Sequence, residues 1–152
     1  MMNISIRLLT ADEFPRCGNI WDMERNRELA ELFYTELISG NRVTFVCESD
    51  GAFIGEISLV YHNDDPDYTI PGKRAYVSRL LVKKSFRRQG IGTTLCVHLF
   101  QYAKALGYEE LSIGVDLDNY AALKLYSDLG FDRILLVDAD DQGKYVKLLK
   151  KL

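Results

Sequence analysis

Arg87, Arg88, Gly90 and Gly92 stand together in the run Ser85-Phe86-Arg87-Arg88-Gln89-Gly90-Ile91-Gly92-Thr93-Thr94-Leu95. Two glycines two apart let a backbone turn tightly and approach a ligand closely. The pattern after them, free of Gly and Pro until Gly107, reads as a helix. Its first free N–H groups carry the positive end of the helix dipole, which suits a phosphate or pyrophosphate. The two arginines add charge and forked donors for phosphate oxygens. A dinucleotide loop would need a third glycine near Leu95, and a P-loop would need a lysine before the threonines, so neither fits. On these residues alone the run is either an anion cradle or a tight strand–helix connection. A second group of residues, Asn119, Ala122, Tyr126 and Gly130, falls at helical spacing, so Asn119 and Tyr126 share a face two turns apart.

The elements that must hold these residues follow from periodicity. Residues 73–82 read as a strand leading into the glycine run. Ile91, Leu95, Leu99, Ala103 and Leu106 share the inward face of the helix behind it, and Gly107 closes that helix. Leu111, Ile113 and Val115 alternate in the next strand. Strand, helix, strand implies a parallel pair joined by a right-handed crossover. A short helix over 119–129 ends at Gly130, and strands 131–137 and 144–149 form a last hairpin across 138–143. At the other end, Ile4, Ile6 and Leu8 alternate in a half-buried strand. Thr10 and Glu13 fit a capping box for a helix carrying Phe14, Cys17, Ile20 and Trp21. A second helix over 26–39 places Leu29, Leu32, Phe33 and Leu37 on one side and stops at Gly40. Strands 42–48 and 52–62 form a hairpin across Ser49-Asp50-Gly51. The order β-α-α-β-β-β-α-β-α-β-β gives an α/β fold (α+β mixed) with a central mixed sheet and helices on both faces. At 152 residues the expectation is a single domain over 1–152.

Composition narrows the function classes. The apolar fraction is 47% and the charged fraction 27%, ordinary for a soluble globular chain. A net charge of -3 argues against broad nucleic-acid binding. No apolar run reaches the ~20 residues that span a bilayer, and the N-terminus lacks a signal-peptide core. Cys17, Cys47 and Cys96 lack motif spacing and read as free thiols in a reducing compartment, with the cytoplasm as the default. No His/Cys/Asp cluster has metal-ligand spacing, so no metal is expected. Two acidic runs, Asp64, Asp65 and Asp67, then Asp138, Asp140 and Asp141, read first as turn formers. A sharper reading makes them a negative rim for a cationic amine.

The loop Arg87-x-x-Gly90-x-Gly92, followed by Asn119-Tyr120-Ala121-Ala122-Leu123-Lys124-Leu125-Tyr126-Ser127-Asp128-Leu129-Gly130-Phe131, resembles the GCN5-related N-acetyltransferase (GNAT) family. The likeness is closest over 73–131. It implies acetyl-CoA as cosubstrate and direct transfer of its acetyl group to a primary amine of a small molecule. Leu80, Leu81 and Val82 match the strand whose free backbone groups hold the pantetheine arm. Arg87, Arg88, Gln89, Gly90, Ile91, Gly92 and Thr93 match the pyrophosphate loop. Asn119 matches the asparagine at the pantetheine arm, with Ala122 on the same face, and Tyr126 matches the tyrosine beside the sulfur. A tyrosine hydroxyl titrating near ~10 can protonate a leaving thiolate. Asn119 can equally be a helix N-cap, and Tyr126 a packed core tyrosine.

Many members of the family carry a glutamate on the strand before the loop, about where this chain has Ser78. The substitute considered for the general base is Glu56, on the facing hairpin strand, whose plainer reading is an exposed strand glutamate. His62, at a strand end, is a further candidate, and mid-helix His98 is read as structural. Two other functions remain open on the same fold: a protein or peptide N-acetyltransferase, and a CoA-binding sensor without catalysis. Relatives often form dimers, so a homodimer is among the expectations that the resemblance carries.

Overall fold

A computed structural model describes residues 3–152 of the chain. Its seven strands form one mixed sheet in the order β1-β2-β3-β4-β5-β7-β6, with helices flanking it. The element order matches the sequence expectation. Two compact units divide the chain: the described residues through Val60 with Ser78–Gln101, and Tyr61–Val77 with Tyr102–Leu152.

In the first unit, β1 (Ile4–Leu8) pairs antiparallel with β2 (Arg42–Ser49), and β2 with β3 (Ala52–Val60). Asp50 and Gly51 take positive φ, 49° and 82°, and close the β2–β3 hairpin. The segment after Thr10 is a 3-10 helix, Ala11–Asn19, rather than the expected α-helix. Its capping box is present: the Thr10 N–H and hydroxyl both donate to Glu13 Oε1, at 3.2 and 2.9 Å. Pro15 lies inside it and has no backbone N–H to donate, so the α-helical ladder is interrupted there. Helix α1 (Arg27–Ser39) ends on Gly40 at φ 83°. Its Phe33 joins Leu9, Phe14, Cys17, Val46 and Phe53 in one apolar cluster, with Trp21 and Leu37 packed against it. Leu32 instead points to solvent at 54% exposure, a correction to the expected inward face.

Helix α2 (Ile91–Ala105) buries Ile91, Leu95, Leu99 and Ala103, whereas Leu106 falls beyond it and is exposed. Gly55 of β3 faces this helix. A Cβ there would lie 3.2 Å from Leu95, 3.3 Å from Ile91 and 3.3 Å from the Leu81 carbonyl oxygen. Glycine thus permits the close packing of β3 against α2. His98 on α2 is held by its own helix, Nδ1 lying 3.0 Å from the Thr94 carbonyl oxygen, as its structural reading anticipated.

In the second unit, Arg74, Ala75 and Tyr76 of β4 (Arg74–Val82) pair in parallel with Glu110, Leu111 and Ser112 of β5 (Glu110–Asp116). The expected parallel crossover pair is therefore present. Helix α3 is Tyr120–Asp128, and β6 (Arg133–Asp140) and β7 (Gly143–Lys151) form the last hairpin. These strands run further than the sequence suggests, since Asp138 and Asp140 lie on β6 and pair with Tyr145 and Gly143. The chain then returns so that β7, not β6, pairs with β5.

The first acidic run has structural employment. Asp65 N–H donates to Asn63 Oδ1 and Asp67 N–H to Asp65 Oδ1, each at 2.9 Å, which is the turn chemistry of short polar side chains. Lys147, buried on β7, donates to carboxylates of both Asp65 and Asp67. Asp65 and Asp67 are thus committed to anchoring their own loop. Removing one partner of a buried charge leaves the other uncompensated. Asp65→Asn is accordingly expected to lower unfolding stability at pH 7 by roughly 1–3 kcal/mol, read from urea midpoints. The Lys147 hydrogen bond holds the Asp65 carboxyl below its usual range. Its stabilisation is present above the unfolded pKa and lost as pH falls, so the wild-type advantage shrinks on acidification.

Candidate functional site

The glycine run forms a strained turn at the start of α2. Lys84–Phe86 make a short 3-10 turn, and Arg88 and Gly90 both adopt left-handed φ, 64° and 81°. A Cβ on Gly90 would meet open space, so glycine serves conformation and backbone access there, not packing. The first intrahelical bond donated to Gly90 O comes from Thr94 N–H at 3.0 Å. The N–H groups of the first turn before it have no intrahelical acceptor. Such a turn at a helix N-terminus is a concave array of donors suited to an anion. The Arg87 side chain folds back, Nε donating 3.0 Å to the Val82 carbonyl oxygen. This fixes the arginine beside the end of β4.

On β4 itself the strand alternation breaks. Val77 and Ser78 are both buried, and Arg79 follows at φ 70°. A left-handed arginine inside a strand is a strained residue, and strain of this kind clusters at ligand sites. Leu80, Leu81 and Val82, the residues expected to meet the pantetheine arm, are the partly buried continuation of this strand.

Beneath the Trp21 and Phe33 rings lies a row of buried polar side chains from β2, β3 and β4. Arg42 Nη2 donates to Ser78 Oγ at 2.9 Å and reaches Glu36 Oε1 at 3.3 Å. Its guanidinium carbon sits 3.8 Å from the Phe33 ring centroid. Thr44 Oγ1 and Ser58 Oγ share a hydrogen bond of 2.7 Å. Glu56, directly across from Val46 on β2, is only 4% exposed, which corrects its reading as an exposed strand residue. Its Oε1 is buried without a hydrogen-bond partner, as are Trp21 Nε1 and Arg79 Nε. Each unpaired buried group costs on the order of 1–3 kcal/mol. Burial pushes the Glu56 carboxyl up to about 7, against the opposing pull of Arg79, Trp21, Arg42 and Cys17. Ser78, about where the family resemblance implies a glutamate, is engaged by Arg42. Arg42 and Arg79 escaped the sequence reading as site residues, and Trp21 entered it only as a residue of a helix that in fact ends at Asn19. The signal was present in charged residues sitting within otherwise apolar strand runs, but it does not say which neighbours they meet.

The second unit places Asn119 at the N-cap of α3, where Oδ1 accepts from Ala122 N–H at 3.2 Å, so the capping reading holds and a carboxamide NH₂ is left for other contacts. Tyr126, on the same helix, is 6% exposed and packs edge-on to Phe131, centroids 5.7 Å apart. His62 and Asp64 approach to 3.4 Å on the exposed surface. All three cysteines are free and buried. Burial raises each thiol, Cys96 to about 12, which keeps them protonated and unreactive.

The chain's likeness to known proteins agrees with this arrangement. The acetyltransferase (GNAT) family matches residues 5–131. The chain belongs to that family. N-acetyltransferase family 8 member 3 of Mus musculus is 28% identical over 106 residues, covering 70% of this chain and 46% of the mouse protein. The chain spans about half the length of the curated relatives it matches. Among solved structures, the ribosomal-protein-S18-alanine N-acetyltransferase of Escherichia coli superposes with a TM-score of 0.77 at 18% identity, over 98% of this chain and 94% of that one. The PaiA N-acetyltransferase of Thermoplasma acidophilum, solved in complex with coenzyme A, does so with a TM-score of 0.71 at 20% identity, over 99% and 100%. At these identities the structural likeness shows the fold.

The buried Glu56 makes a pH-dependent stability difference. Its folded pKa lies above the unfolded one, so between them the native state binds the extra proton and stability falls as pH rises toward about 7. Glu56→Gln removes that cost. The variant is expected to be more stable than wild type at pH 8, by on the order of 3 kcal/mol, with the gap closing at pH 5. Urea midpoints of both proteins at the two pH values check this.

Proposed function

We propose that the chain is an acetyl-CoA-dependent N-acetyltransferase acting on a primary amine of a small molecule. The observation that carries this reading is the donor-lined, left-handed turn at Arg88 and Gly90 before α2, in a chain of the GNAT family. Its residues fit a pyrophosphate: backbone N–H groups at a helix start, Arg88 beside them, and no side chain on Gly90 to block approach. Arg87, Gln89, Ile91, Gly92 and Thr93 complete the loop, while the backbone of Leu80, Leu81 and Val82 receives the pantetheine arm. Asn119 and Ala122 of α3 are assigned to that arm by the family motif, and Tyr126 to the sulfur.

Acetyl-CoA supplies a thioester carbonyl that a neutral amine attacks, forming the C–N bond as the C–S bond breaks. Alkylammonium groups titrate near ~10.4, so the acceptor must first lose a proton. Glu56 takes it. A carboxyl titrating at about 7 is ionised often enough at neutral pH to act as base, and is basic enough to do so usefully. The Tyr126 hydroxyl donates a proton to the departing thiolate. A backbone N–H of Leu81 or Val82 polarises the carbonyl. No side chain serves as nucleophile, consistent with the inert cysteines.

Two measurements test the reading. Calorimetry should detect acetyl-CoA binding, and failure to bind sinks it. Thiol release over a panel of small amines and peptides then reports turnover. With Glu56 as base, kcat/KM rises as pH passes about 7 and levels above it. Glu56→Gln should abolish that limb and lower kcat by roughly 10²–10⁴. Tyr126→Phe should lower kcat by about 10²-fold. Tight cofactor binding with no turnover on any amine, and no effect of either substitution, would instead identify a sensor.

A further inference from the structure

We infer that the guanidinium of Arg79 anchors a carboxylate carried by the acceptor, so that the amines acetylated are amino acids or other amines bearing a carboxylate. The inference rests on the acetyltransferase reading and narrows its acceptor class.

Arg79 differs from the other buried or half-buried arginines. Arg7 pairs with Glu13, Arg42 with Glu36 and Arg74 with Glu110, as the exposed Arg16 does with Glu48. Arg79 makes no such ion pair: it meets rings, and the Glu56 carboxylate acts on it through charge without a hydrogen bond. Its guanidinium carbon lies 4.3 Å from the Trp21 ring centroid and 5.6 Å from that of Phe33, and its buried Nε has no partner. A guanidinium over an aromatic ring gains cation–π attraction without using its N–H donors. The ligand that matches such a fork is a planar oxyanion, above all a carboxylate. The residue is also held at φ 70°, a conformation that an L-residue adopts against strain. An arginine kept there for packing alone would not need its buried donor left open.

The neighbouring orphan groups set the rest of the ligand. Trp21 Nε1 is a second unpaired donor, and Glu56 Oε1 an unpaired acceptor. One cluster therefore offers donors for an anion and a carboxylate for an ammonium, which together describe a zwitterion. A polyamine or aminoglycoside has no carboxylate to offer Arg79. Asp65 and Asp67, which suggested a cationic acceptor in the sequence, are committed to Lys147. Trp21 also lines an open cleft of about 570 Å³ with Pro15, Ile20 and Met23, so the Trp21 side of the pair borders solvent.

The test compares matched acceptors with the intact wild-type protein and acetyl-CoA: free amino acids, their primary amides, the corresponding decarboxylated amines, and C-terminally amidated peptides with and without a glutamate. The expected result is a kcat/KM for free amino acids about ten- to hundredfold above that for the amides, the worth of one charge-assisted hydrogen bond. In Arg79→Gln that ratio should fall toward one, and Arg79→Lys should restore part of it. Arg16→Gln, which removes another ring-stacked arginine with ordinary ion-pair partners, should keep it. Better turnover of the glutamate peptide than of free amino acids would assign the same carboxylate to a peptide source. Amides used as well as acids, a ratio unchanged in Arg79→Gln, or no carboxylate-bearing amine either acetylated or bound would overturn the inference. Calorimetry of amino acids against the protein without cofactor judges carboxylate binding separately. A failure of acetyl-CoA binding therefore counts against the acetyltransferase reading and not against Arg79.

Discussion

A carboxyl group buried beside an arginine whose Nε has no hydrogen-bond partner is the constraint on which the first unit turns. Glu56 is 4% exposed, and its Oε1, Arg79 Nε and Trp21 Nε1 all lack partners. Taking such groups out of water without pairing them is costly, and apolar residues of similar volume would pack in their place at less cost. The fold instead surrounds them with rings and polar neighbours: Trp21 and Phe33 over Arg79, Phe33 over Arg42, Ser78 on Arg42, and Thr44 with Ser58. The cluster is thus held in place by packing while its hydrogen-bonding capacity stays open. That combination is the condition for a preorganised site, because donors and acceptors already aimed need no reorganisation when a ligand arrives.

The strain in β4 and the strain in the loop after it belong to the same short length of chain. Arg79 and Arg88 are both left-handed, and Gly90 is too. The first displaces the alternation of β4 and brings Val77 and Ser78 inward together. The second and third turn the chain sharply into α2, leaving the donors of its first turn without intrahelical acceptors. Around these points ordinary packing is dense. Gly55 permits the close approach of β3, Leu81 and α2, and Ile91, Leu95 and Leu99 bury one side of that helix. A rigid scaffold carrying a few strained residues is what a binding loop requires, since the energy stored locally is offset by apolar burial elsewhere.

Charge serves different ends in the two units. Asp65, Asp67 and Lys147 form a saturated group in which each charge has a partner, and that group anchors a loop. Glu56 and Arg79 form an unsaturated one. The distinction separates structure from candidate function better than the mere presence of buried charge, because a satisfied pair has no capacity left for a ligand.

Much of the architecture was legible in the chain itself. Period-2 and period-3.6 patterns, with Gly40, Gly107 and Gly130 as stops, reproduce the order of strands and α-helices, since burial periodicity and left-handed glycines are local properties. The features for which the loop is proposed to bind an anion were local as well: two glycines, two arginines and a helix start within a few residues. Tertiary structure alone decided the rest. Whether Asp65 and Asp67 are a free acidic rim or the partners of Lys147 depends on residues about eighty positions apart. Whether Glu56 is an exposed strand glutamate or a buried carboxyl depends on which face α1 and the 3-10 segment cover. Strand alternation says that Glu56 and Ser58 share a side, but not that Cys17 and Trp21 lie over Glu56, or that Arg79 turns against its strand to stack on Trp21. Burial and pairing are set by contacts remote in sequence, and those contacts, more than residue type, turn a polar side chain into a candidate site.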